Sequence, residues 1–279
     1  MYRDGTLLIP RLRPEKKFKK RFQRVTDKQL KPETFHQSER ALRLHSETPG
    51  KPDILYFIDD LIMGRLIDLS EIEVQAEVYG VNLNEALVAL GEMEALTPTL
   101  SEFVGVVTAV GFHFKRQYEP RNRVYGWGGT AYASRTRVNG HNVHLLPPSM
   151  PYKIGASIPV AFITVYYALV NLANLSNGQT VLIRGAADST GQAALQIAQN
   201  IGAVIFATVS ERSLLLDTFK LQEQHIFSVK AVTFSCEIKR LTQGHGVNLV
   251  VDSLDGEALE DSWAYVAQGL ITTQETPSA

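Results

Sequence analysis

The chain has 279 residues, enough for one large domain or two ordinary ones, and its 44% hydrophobic content excludes global disorder. A formal net charge of −1 provides no overall field that would draw the protein to nucleic acid or to an anionic membrane. The single cysteine, Cys236, excludes an intrachain disulfide and a four-cysteine zinc site, and it fits a reducing compartment.

Metal and membrane signals are also weak in this sequence. His141 and His144 form a close pair without a third ligand, which is typical of solvent-exposed histidines, so we expect no metal site and no zinc-dependent mechanism. No apolar run approaches the roughly 20 residues of a membrane span, and the N-terminal residues lack the order of a signal peptide. We therefore expect a cytoplasmic protein with neither a membrane nor a nucleic acid as its partner.

The first half of the chain predicts a linker followed by short strands. Residues 1–50 are charged and only weakly periodic, with one strand candidate at TLLIPRL, and predict an N-terminal extension or linker. The segment NEALVALGEME predicts a short helix. Short strands separated by glycines predict a small barrel over residues 51–160. The strand candidates are DILYFID, SEIEVQAEVYGV (in which charged and apolar residues alternate), SEFVGVVTAVGF, RVYGWGGTAYASRTRV and VHLLP.

The second half, residues 161–279, alternates helices and strands, which is typical of a parallel sheet. The segment AFITVYYALVNLANL predicts a helix that Gly178 ends. The last segment, VAQGLITTQETPSA, is polar and lacks a good final strand, so the sheet is expected to be incomplete against the usual six or so strands. Strands are predicted at Thr180–Ile183, Val204–Val209, His225–Ser228 and Val247–Asp252, and helices at Gln192–Ile201, Ser213–Phe219 and Cys236–Leu241.

The turn RGAADSTGQAA, after the first of these strands, has features of a dinucleotide-binding loop. Gly191 stands where the third glycine of such a loop lets the helix approach the strand, and alanines dominate the predicted sheet-facing side of that helix. Glycines at 186 and 188 would complete the pattern, but the chain has Ala186 and Asp188. The alternative is that Asp188 or Ser189 caps the helix, since both are good N-cap residues.

The type of nucleotide is indicated by VSERS, at the end of the next strand. Arg212 favours the phosphorylated ribose of NADPH, whereas Glu211 favours the free ribose of NAD. Lys230, just past HIFS, adds a second cation. The balance favours NADPH, and the alternative for each residue alone is an ordinary surface charge.

Together and in this order, several segments resemble the enoyl reductase domain of fungal highly reducing polyketide synthases, in the zinc-free, quinone-reductase-like branch of the medium-chain dehydrogenase/reductase superfamily. VYGVNLNEALVALGEME stands at the family's G-L-N-F-x-D-x-x-x-A-L-G pattern. The run from Ile158 to Ala203 matches its interdomain helix and nucleotide loop. RDGTLLIPRL, ALRLHSETPGKPDILYFIDD, HIFS and GVNLVVDSLDGEALEDSWAYVA resemble the lead-in, the first strands and the later strands.

The resemblance implies an α/β protein in which a GroES-like barrel precedes an incomplete Rossmann-type doubly wound parallel sheet, with the active site between them. It implies metal-free, NADPH-dependent hydride transfer to the β carbon of an α,β-unsaturated thioester on an acyl carrier protein, beside other polyketide synthase domains. Tyr79 is the candidate catalytic residue, and its alternative is a half-buried strand tyrosine. The cofactor-binding candidates, with Lys230 from the cofactor argument, are Asn82, Thr164, Asp188, Ser189, Thr190, Gly191, Ser210, Arg212, Lys230, Ser253 and Leu254.

Four departures from the family pattern leave open whether the chain is an active enzyme. Asp188 and Ser189 replace paired glycines, and a carboxylate near a phosphate would repel it by about 1 to 4 kcal/mol. Leu83 and Glu85 depart from the N-F-x-D pattern, and VSERSLLL is shorter than in relatives. The family's last strands and lysine segment have no counterpart. The alternatives are a non-catalytic fragment or nucleotide-binding or docking module, and a quinone-type NADPH oxidoreductase.

Overall fold

The structure is a computed structural model that describes residues 31–46, 50–51, 55–92, 101–130, 132–210, 212–228, 234–252 and 266–267, with the backbone at 2–3, 6–7 and 272–274. Contacts divide the chain into two compact units, residues 1–37 and residues 38–279. In the first unit, β1 (Tyr2–Arg3) and β2 (Thr6–Leu7) pair antiparallel. Thr6 and Leu7, the first two residues of the predicted strand TLLIPRL, are thus in a strand. The domain boundaries expected near residues 50 and 160 remain predictions.

Antiparallel strands dominate the first part of the second unit. A two-stranded sheet pairs β3 (Leu42–His45) with β4 (Tyr56–Asp59), so a strand lies within the segment expected to be a linker. A five-stranded antiparallel sheet follows, with the spatial order β8-β5-β6-β7-β9, and helix α1 (Leu83–Ala89) connects its first two strands along the chain. Its strands are β5 (Glu71–Tyr79), β6 (Glu102–Val110), β7 (Arg123–Trp127), β8 (Arg135–Asn139) and β9 (Val143–Leu145).

Strand β5 shows why simple alternation did not fully predict burial. Ile72 and Val74 are buried in the apolar core of the sheet, as their alternation predicts. Glu73 is buried as well, because its carboxylate accepts hydrogen bonds from Arg137 Nε (2.8 Å) and from the Thr108 hydroxyl (2.9 Å). On the face of β5 that was expected to be exposed, the ion pair with Arg137 of the neighbouring strand β8 therefore takes the place of hydration by water.

The second part of the unit contains a five-stranded parallel sheet of order β12-β11-β10-β13-β14. Chain order reverses between β10 and β13, which lie side by side, and such switch points open a ligand crevice at the carboxyl ends of the strands. The strands are β10 (Thr180–Ile183), β11 (Val204–Val209), β12 (Ile226–Ser228), β13 (Leu249–Asp252) and β14 (Thr272–Gln274). The helices are α2 (Tyr152–Gly155), α3 (Pro159–Tyr166), a π-helix (Tyr167–Leu172), α4 (Ser189–Ile201), α5 (Ser213–Asp217) and α6 (Phe234–Leu241).

Strand β14 corrects one prediction, because we expected the last segment to lack a strand. Thr272, Thr273 and Gln274 pair in parallel with Val250, Val251 and Asp252. β14 stands at the end of the strand order, and a strand at a sheet edge needs fewer apolar side chains than a central one. Threonine, which is β-branched, favours the extended backbone without adding hydrophobicity.

Helix α4 packs on this sheet through the side that its sequence predicts. Ala193, Ala194 and Ala198 are fully buried, and the larger Ile197 and Ile201 pack against the same apolar cluster. The cluster also includes Val181 and Ile183 of β10. Small residues bring the helix axis close to the strand, so that its first turn lies directly behind the turn that follows β10.

One helical stretch contradicts the expectation that no apolar run approaches the length of a membrane span. Within the described part of the chain, Tyr152–Leu172 spans 21 residues with a mean hydropathy of 1.6, enough by length and composition to cross a membrane. A third of that window (33%) is buried, and Ala161, Val165 and Leu169 pack into the core beside β10. A core helix of a globular domain passes the same test, so this finding is weak evidence for a membrane span.

A buried ion pair, which we did not predict from the sequence, joins β10 and β13 at their carboxyl ends. Arg184 Nη1 lies 3.1 Å from Asp252 Oδ2, and the two side chains are 6% and 2% exposed. The Arg184 amide also donates to the Val251 carbonyl oxygen at 2.9 Å. The pair therefore links neighbouring strands at the edge of the crevice.

Replacement of Arg184 by Met should lower the free energy of unfolding by about 3 to 5 kcal/mol, because it leaves the Asp252 carboxylate buried without its cation. Urea denaturation measures this change. The matched control is Arg240→Met, which removes a cation 2.9 Å from Glu237 in a pair whose side chains are 67% and 51% exposed. That exposed pair should contribute less than about 1 kcal/mol, and equal losses in the two variants would contradict the prediction.

Candidate active site

The turn between β10 and α4 is built around a very close backbone approach. A Cβ atom on Gly191 would lie 2.3 Å from the Gly185 carbonyl oxygen and 2.7 Å from Ala186 Cα, so only glycine fits. Gly185 has a φ of 63°, in the left-handed region that favours glycine. The turn is anchored to β11, since the Ala186 amide donates to the Thr208 carbonyl oxygen at 3.0 Å. Gly191 thus has the close-packing role that its position predicts.

The backbone amides in the first turn of α4 are the hydrogen-bond donors that an anion in this crevice would meet. Ser189, Thr190 and Gly191 form that turn, and the first amides of a helix lack intrahelical partners. Their positive partial charges, at the end of the helix dipole, would face a pyrophosphate placed over the turn. Three candidate residues predicted from the sequence are therefore adjacent here.

Asp188 occupies the N-cap position of α4, but it does not cap the helix in the expected way. Its backbone is extended (φ −73°, ψ 167°), and its side chain makes no capping hydrogen bond. Asp188 and Ser189 are both exposed. Asp188 therefore occupies the N-cap position, as the alternative predicted, but its carboxylate does not accept the capping hydrogen bond. Ser189 is the first residue of the helix and not its cap. The carboxylate adds negative charge beside the amides that an anion would use.

Arg212, at the predicted ribose end of the crevice, lies in a groove beside β12 that contains two arginines and two glutamates. Ser210 is exposed directly after β11, and Arg212 Nη1 lies 4.0 Å from Glu223 Oε1 in a pair that solvent screens. Glu211 and Lys230 lie outside the described residues. Arg212 lines an open groove of about 570 Å³ together with Arg240, a cation that the sequence did not suggest. The other lining residues are Gln222, Glu223, Gln224, Ile226, Phe227 and Glu237.

Tyr79 ends β5, and its hydroxyl is engaged by the backbone of two residues, Ala133 and, at 3.3 Å, the Thr130 carbonyl oxygen. It donates to the Ala133 carbonyl oxygen at 2.9 Å and accepts from the Ala133 amide at 3.2 Å. Burial raises the pKa of Tyr79 well above its ordinary value, with the Ala133 contact opposing that shift. The structure places Tyr79 as a half-buried strand tyrosine, which was its alternative, and a catalytic role for it remains a prediction.

A buried carboxylate that we did not predict connects the antiparallel sheet to helix α3. Glu102, at the start of β6, is only 4% exposed. Its Oε2 accepts the Val160 amide in the first turn of α3 at 2.9 Å, and its Oε1 accepts from Asn82 Nδ2 at 3.2 Å. Burial raises the pKa of Glu102, its two donors lower it, and the charge of Glu85 raises it further.

Glu85 and Tyr132 complete this polar cluster around Asn82. Glu85 Oε2 accepts the Asn82 backbone amide at 2.9 Å and the Tyr132 hydroxyl at 2.8 Å. Burial, followed by the hydrogen bond to Glu85, raises the pKa of Tyr132. Asn82 is therefore held from two sides, through its backbone by Glu85 and through its amide by Glu102.

Helix α3 carries one candidate cofactor-binding residue. Thr164 is half-buried one turn after Val160, so the two residues lie on the same side of the helix. Tyr166 and Tyr167, at the end of the helix, are 55% and 57% exposed. The apolar side of this helix is formed by Ala161, Val165 and Leu169 instead.

Ser253 and Leu254 follow β13 and lie outside the described residues. Glu102 could have been found from the sequence, because SEFVGVV places a charge inside an otherwise apolar strand. Tyr132, whose φ of 50° is unusual for a bulky residue, gave no such signal. Within the described ranges, no three His, Cys, Asp or Glu side chains come together as a metal site.

The two sheets, the switch-point crevice and the glycine-tight turn define an oxidoreductase fold of the GroES-like and Rossmann type. No protein-family model matches the sequence. A highly reducing polyketide synthase of Aspergillus luteorubrus is 40% identical over 268 residues, which are 94% of this chain and 8% of that relative. The crystal structure of the enoyl reductase CurK is 30% identical with a TM-score of 0.75, covering 84% of this chain and 74% of that one.

The chain belongs to the polyketide-synthase enoyl reductases of the medium-chain dehydrogenase/reductase superfamily. A mycobacterial protein whose structure contains NADPH is 22% identical, with a TM-score of 0.72 over 84% of this chain and 73% of that one, and shares the fold. Because the chain spans only 8% of the Aspergillus relative, its own reaction has to be argued from its residues.

The raised pKa of Glu102 predicts a pH-dependent stability that Glu102→Gln removes. The folded chain binds this proton more tightly than the unfolded chain does. The stability of the wild type relative to the variant should therefore fall as pH rises from the ordinary value of 4.5 through the raised pKa. Urea unfolding of both proteins between about pH 4 and pH 8 measures the difference.

Glu71→Gln is the matched control for this prediction, with the opposite sign. Burial alone would raise the pKa of Glu71, but the hydrogen bonds from Arg65 and from the Asp68 amide lower it overall. The wild type should therefore gain stability relative to Glu71→Gln as pH rises through that lowered pKa to the ordinary value of 4.5. If the wild type instead gained stability relative to Glu102→Gln as pH rises above 4.5, the assignment of a raised pKa to Glu102 would be contradicted.

Proposed function

We propose that this chain is an NADPH-dependent enoyl reductase that delivers hydride to the β carbon of an α,β-unsaturated acyl thioester. The observation that carries the proposal is the turn at Gly191. Its backbone leaves no room for a side chain, and it presents the first amides of α4 at the switch point of a parallel sheet. Membership of the enoyl reductase family supplies the reaction type.

The residues present fit a nicotinamide dinucleotide, with one exception. The amides of Ser189, Thr190 and Gly191 would hold the pyrophosphate, and the guanidinium of Arg212 would hold a ribose 2′-phosphate. When bound, the cofactor would supply the hydride. Asp188 is the exception, because its charge opposes the pyrophosphate.

Asn82 and Thr164 would orient the reactive end of the cofactor from the side of the antiparallel sheet. Both carry short polar side chains, and the cluster around Glu102 fixes the Asn82 amide. After hydride addition, negative charge develops on the thioester oxygen and the α carbon takes up a proton. Tyr132 and Tyr79 bring two phenolic hydroxyls close to Asn82, since Tyr132 donates to Glu85 and the two rings are 5.3 Å apart, and both hydroxyls are engaged in hydrogen bonds.

The partners and the compartment follow from the proposed reaction. We propose that the acyl group reaches the chain as a thioester on an acyl carrier protein, beside other polyketide synthase domains. Support comes from the Aspergillus relative, in which the matching segment is a small part of a highly reducing polyketide synthase. A cytoplasmic location agrees with the single, exposed cysteine Cys236.

One observation favours a second candidate, a chain that keeps the fold but binds the nucleotide poorly. The Asp188 carboxylate lies exposed at the end of α4 where an anion would bind. Such a chain would act as a docking module or as a fragment without turnover. Cofactor binding, measured apart from turnover, separates this candidate from an enzyme.

The direct test of the proposed function is NADPH oxidation at stoichiometric enzyme, followed by absorbance, with a crotonyl thioester as the acceptor. The expected result is thioester-dependent oxidation and a saturated thioester product. A quinone as the parallel acceptor tests the quinone-type alternative, which predicts oxidation with the quinone and none with the thioester. NADPH binding without oxidation in either assay would favour the non-catalytic candidate.

The charge at the turn gives a separate prediction. The double variant Asp188→Gly/Ser189→Gly should bind NADPH at least about tenfold more tightly than the wild type, because it removes a carboxylate beside the pyrophosphate. Titration followed by nicotinamide fluorescence measures the affinity. Asp217→Asn, which removes an exposed carboxylate on α5, is the matched control and should change nothing. Equal affinities of the double variant and the wild type would mean that Asp188 faces solvent in the complex.

A further inference from the structure

Glu102 stands between the two candidate residues that would orient the reactive end of the cofactor. Its Oε1 accepts the side-chain amide of Asn82, and its Oε2 accepts the backbone amide of Val160 in the first turn of α3. Thr164 follows Val160 by one turn on the same helix. One carboxylate therefore contacts Asn82 directly and holds the turn from which Thr164 is presented.

The surrounding chain leaves room for this carboxylate. A Cβ atom on Gly80 would lie 2.4 Å from Glu102 Oε1 and 2.6 Å from the Ala156 carbonyl oxygen, so a larger residue there would displace the carboxylate. The Gly80 amide also donates to the Glu102 carbonyl oxygen at 3.0 Å. The end of β5, the start of β6 and helix α2 thus converge on the same side chain.

Burial of a carboxylate is unfavourable unless its hydrogen bonds repay the lost hydration, and an apolar residue of similar size is often more stabilising. Glu102 is 4% exposed, and it has no cation among the partners described for it. Its two contacts are both donors that lie on other elements of the fold. A role in placing those donors accounts for the carboxylate better than a role in stability.

We propose that Glu102 is a positioning residue of the reductase, which fixes the amide of Asn82 and the first turn of α3 so that Asn82 and Thr164 face the nicotinamide together. This inference rests on the proposed function, since it assigns a role within that site. Glu102 acts through these two residues and does not itself contact the cofactor or the substrate.

The test compares Glu102→Gln with Glu73→Gln in the intact chain. Glu73 is a buried carboxylate of the same sheet whose partners, Arg137 and Thr108, lie outside the site, so it controls for loss of a buried charge. Glutamine at 102 has one oxygen in place of two, so its own amide group opposes either the Val160 amide or that of Asn82, and its neutral oxygen accepts more weakly than a carboxylate. We expect Glu102→Gln to weaken NADPH binding by about tenfold, and Glu73→Gln to leave it within about twofold of the wild type.

Hydrogen exchange supplies a readout that does not depend on activity. In Glu102→Gln the amides in the first turn of α3 should exchange faster than in the wild type, whereas in Glu73→Gln they should not. The double variant Asn82→Asp/Glu102→Gln swaps the amide and the carboxylate between the two positions. It restores their hydrogen bond in the reverse direction, since the glutamine amide can now donate to the aspartate. This double variant should bind NADPH more tightly than Asn82→Asp alone, a comparison that remains valid where Glu102→Gln fails to fold.

Three results would overturn the inference. Equal NADPH affinities of Glu102→Gln and Glu73→Gln would show that Glu102 is only structural. Weaker binding with unchanged exchange in α3 would show that Glu102 contacts the ligand itself. A wild type that binds no NADPH would remove the proposed function and the inference with it, and this outcome is distinguishable because it appears before any variant is compared.

Discussion

Helix α4 can lie against the turn that follows β10 only because residue 191 has no side chain. A methyl group there would be placed 2.3 Å from the Gly185 carbonyl oxygen, so the helix would have to move away from the sheet. The alanine side of α4 continues the close approach over about two further turns, with Ala193, Ala194 and Ala198 buried in the same apolar cluster as β10. The position of the first helical amides, to which we assign the pyrophosphate in the proposed function, depends on this contact.

The same constraint explains which parts of the fold were predictable. Close packing of a helix on a strand can be recognised within one segment of the sequence, since it needs a glycine at 191 together with small residues at helical spacing. The close approach of the helix between β10 and β11 was predicted for that reason, whereas the strands from β10 to β13 were predicted from the alternation of strands and helices. β14 was not predicted, because it joins the sheet at its edge through backbone pairing, which Thr272 and Gln274 can form without apolar side chains.

The polar groups of the site follow a different rule, because their partners are distant in sequence. Glu102 and Val160 are separated by 58 positions, and Arg184 and Asp252 by 68. No periodicity of a single segment records such pairs. The partner of each charge is not recorded near it in the sequence, and burial becomes evident only when the sheets are assembled. Gly191 and the first-turn amides were therefore predictable from sequence, whereas Asn82 and Val160 as the partners of Glu102 were not.

Asp188 separates the architecture of the site from its chemistry. The turn is fixed by backbone contacts, from Gly191 to Gly185 and from Ala186 to β11, and none of them requires a particular side chain at position 188. The carboxylate is exposed and makes no capping hydrogen bond, so it contributes little to the formation of α4 beyond a favourable interaction with the helix dipole. That interaction uses the same partial positive charge that a pyrophosphate would use. A charge at this position is therefore compatible with the fold and would act mainly on affinity for the proposed nucleotide, which is why binding and folding must be measured separately in this chain.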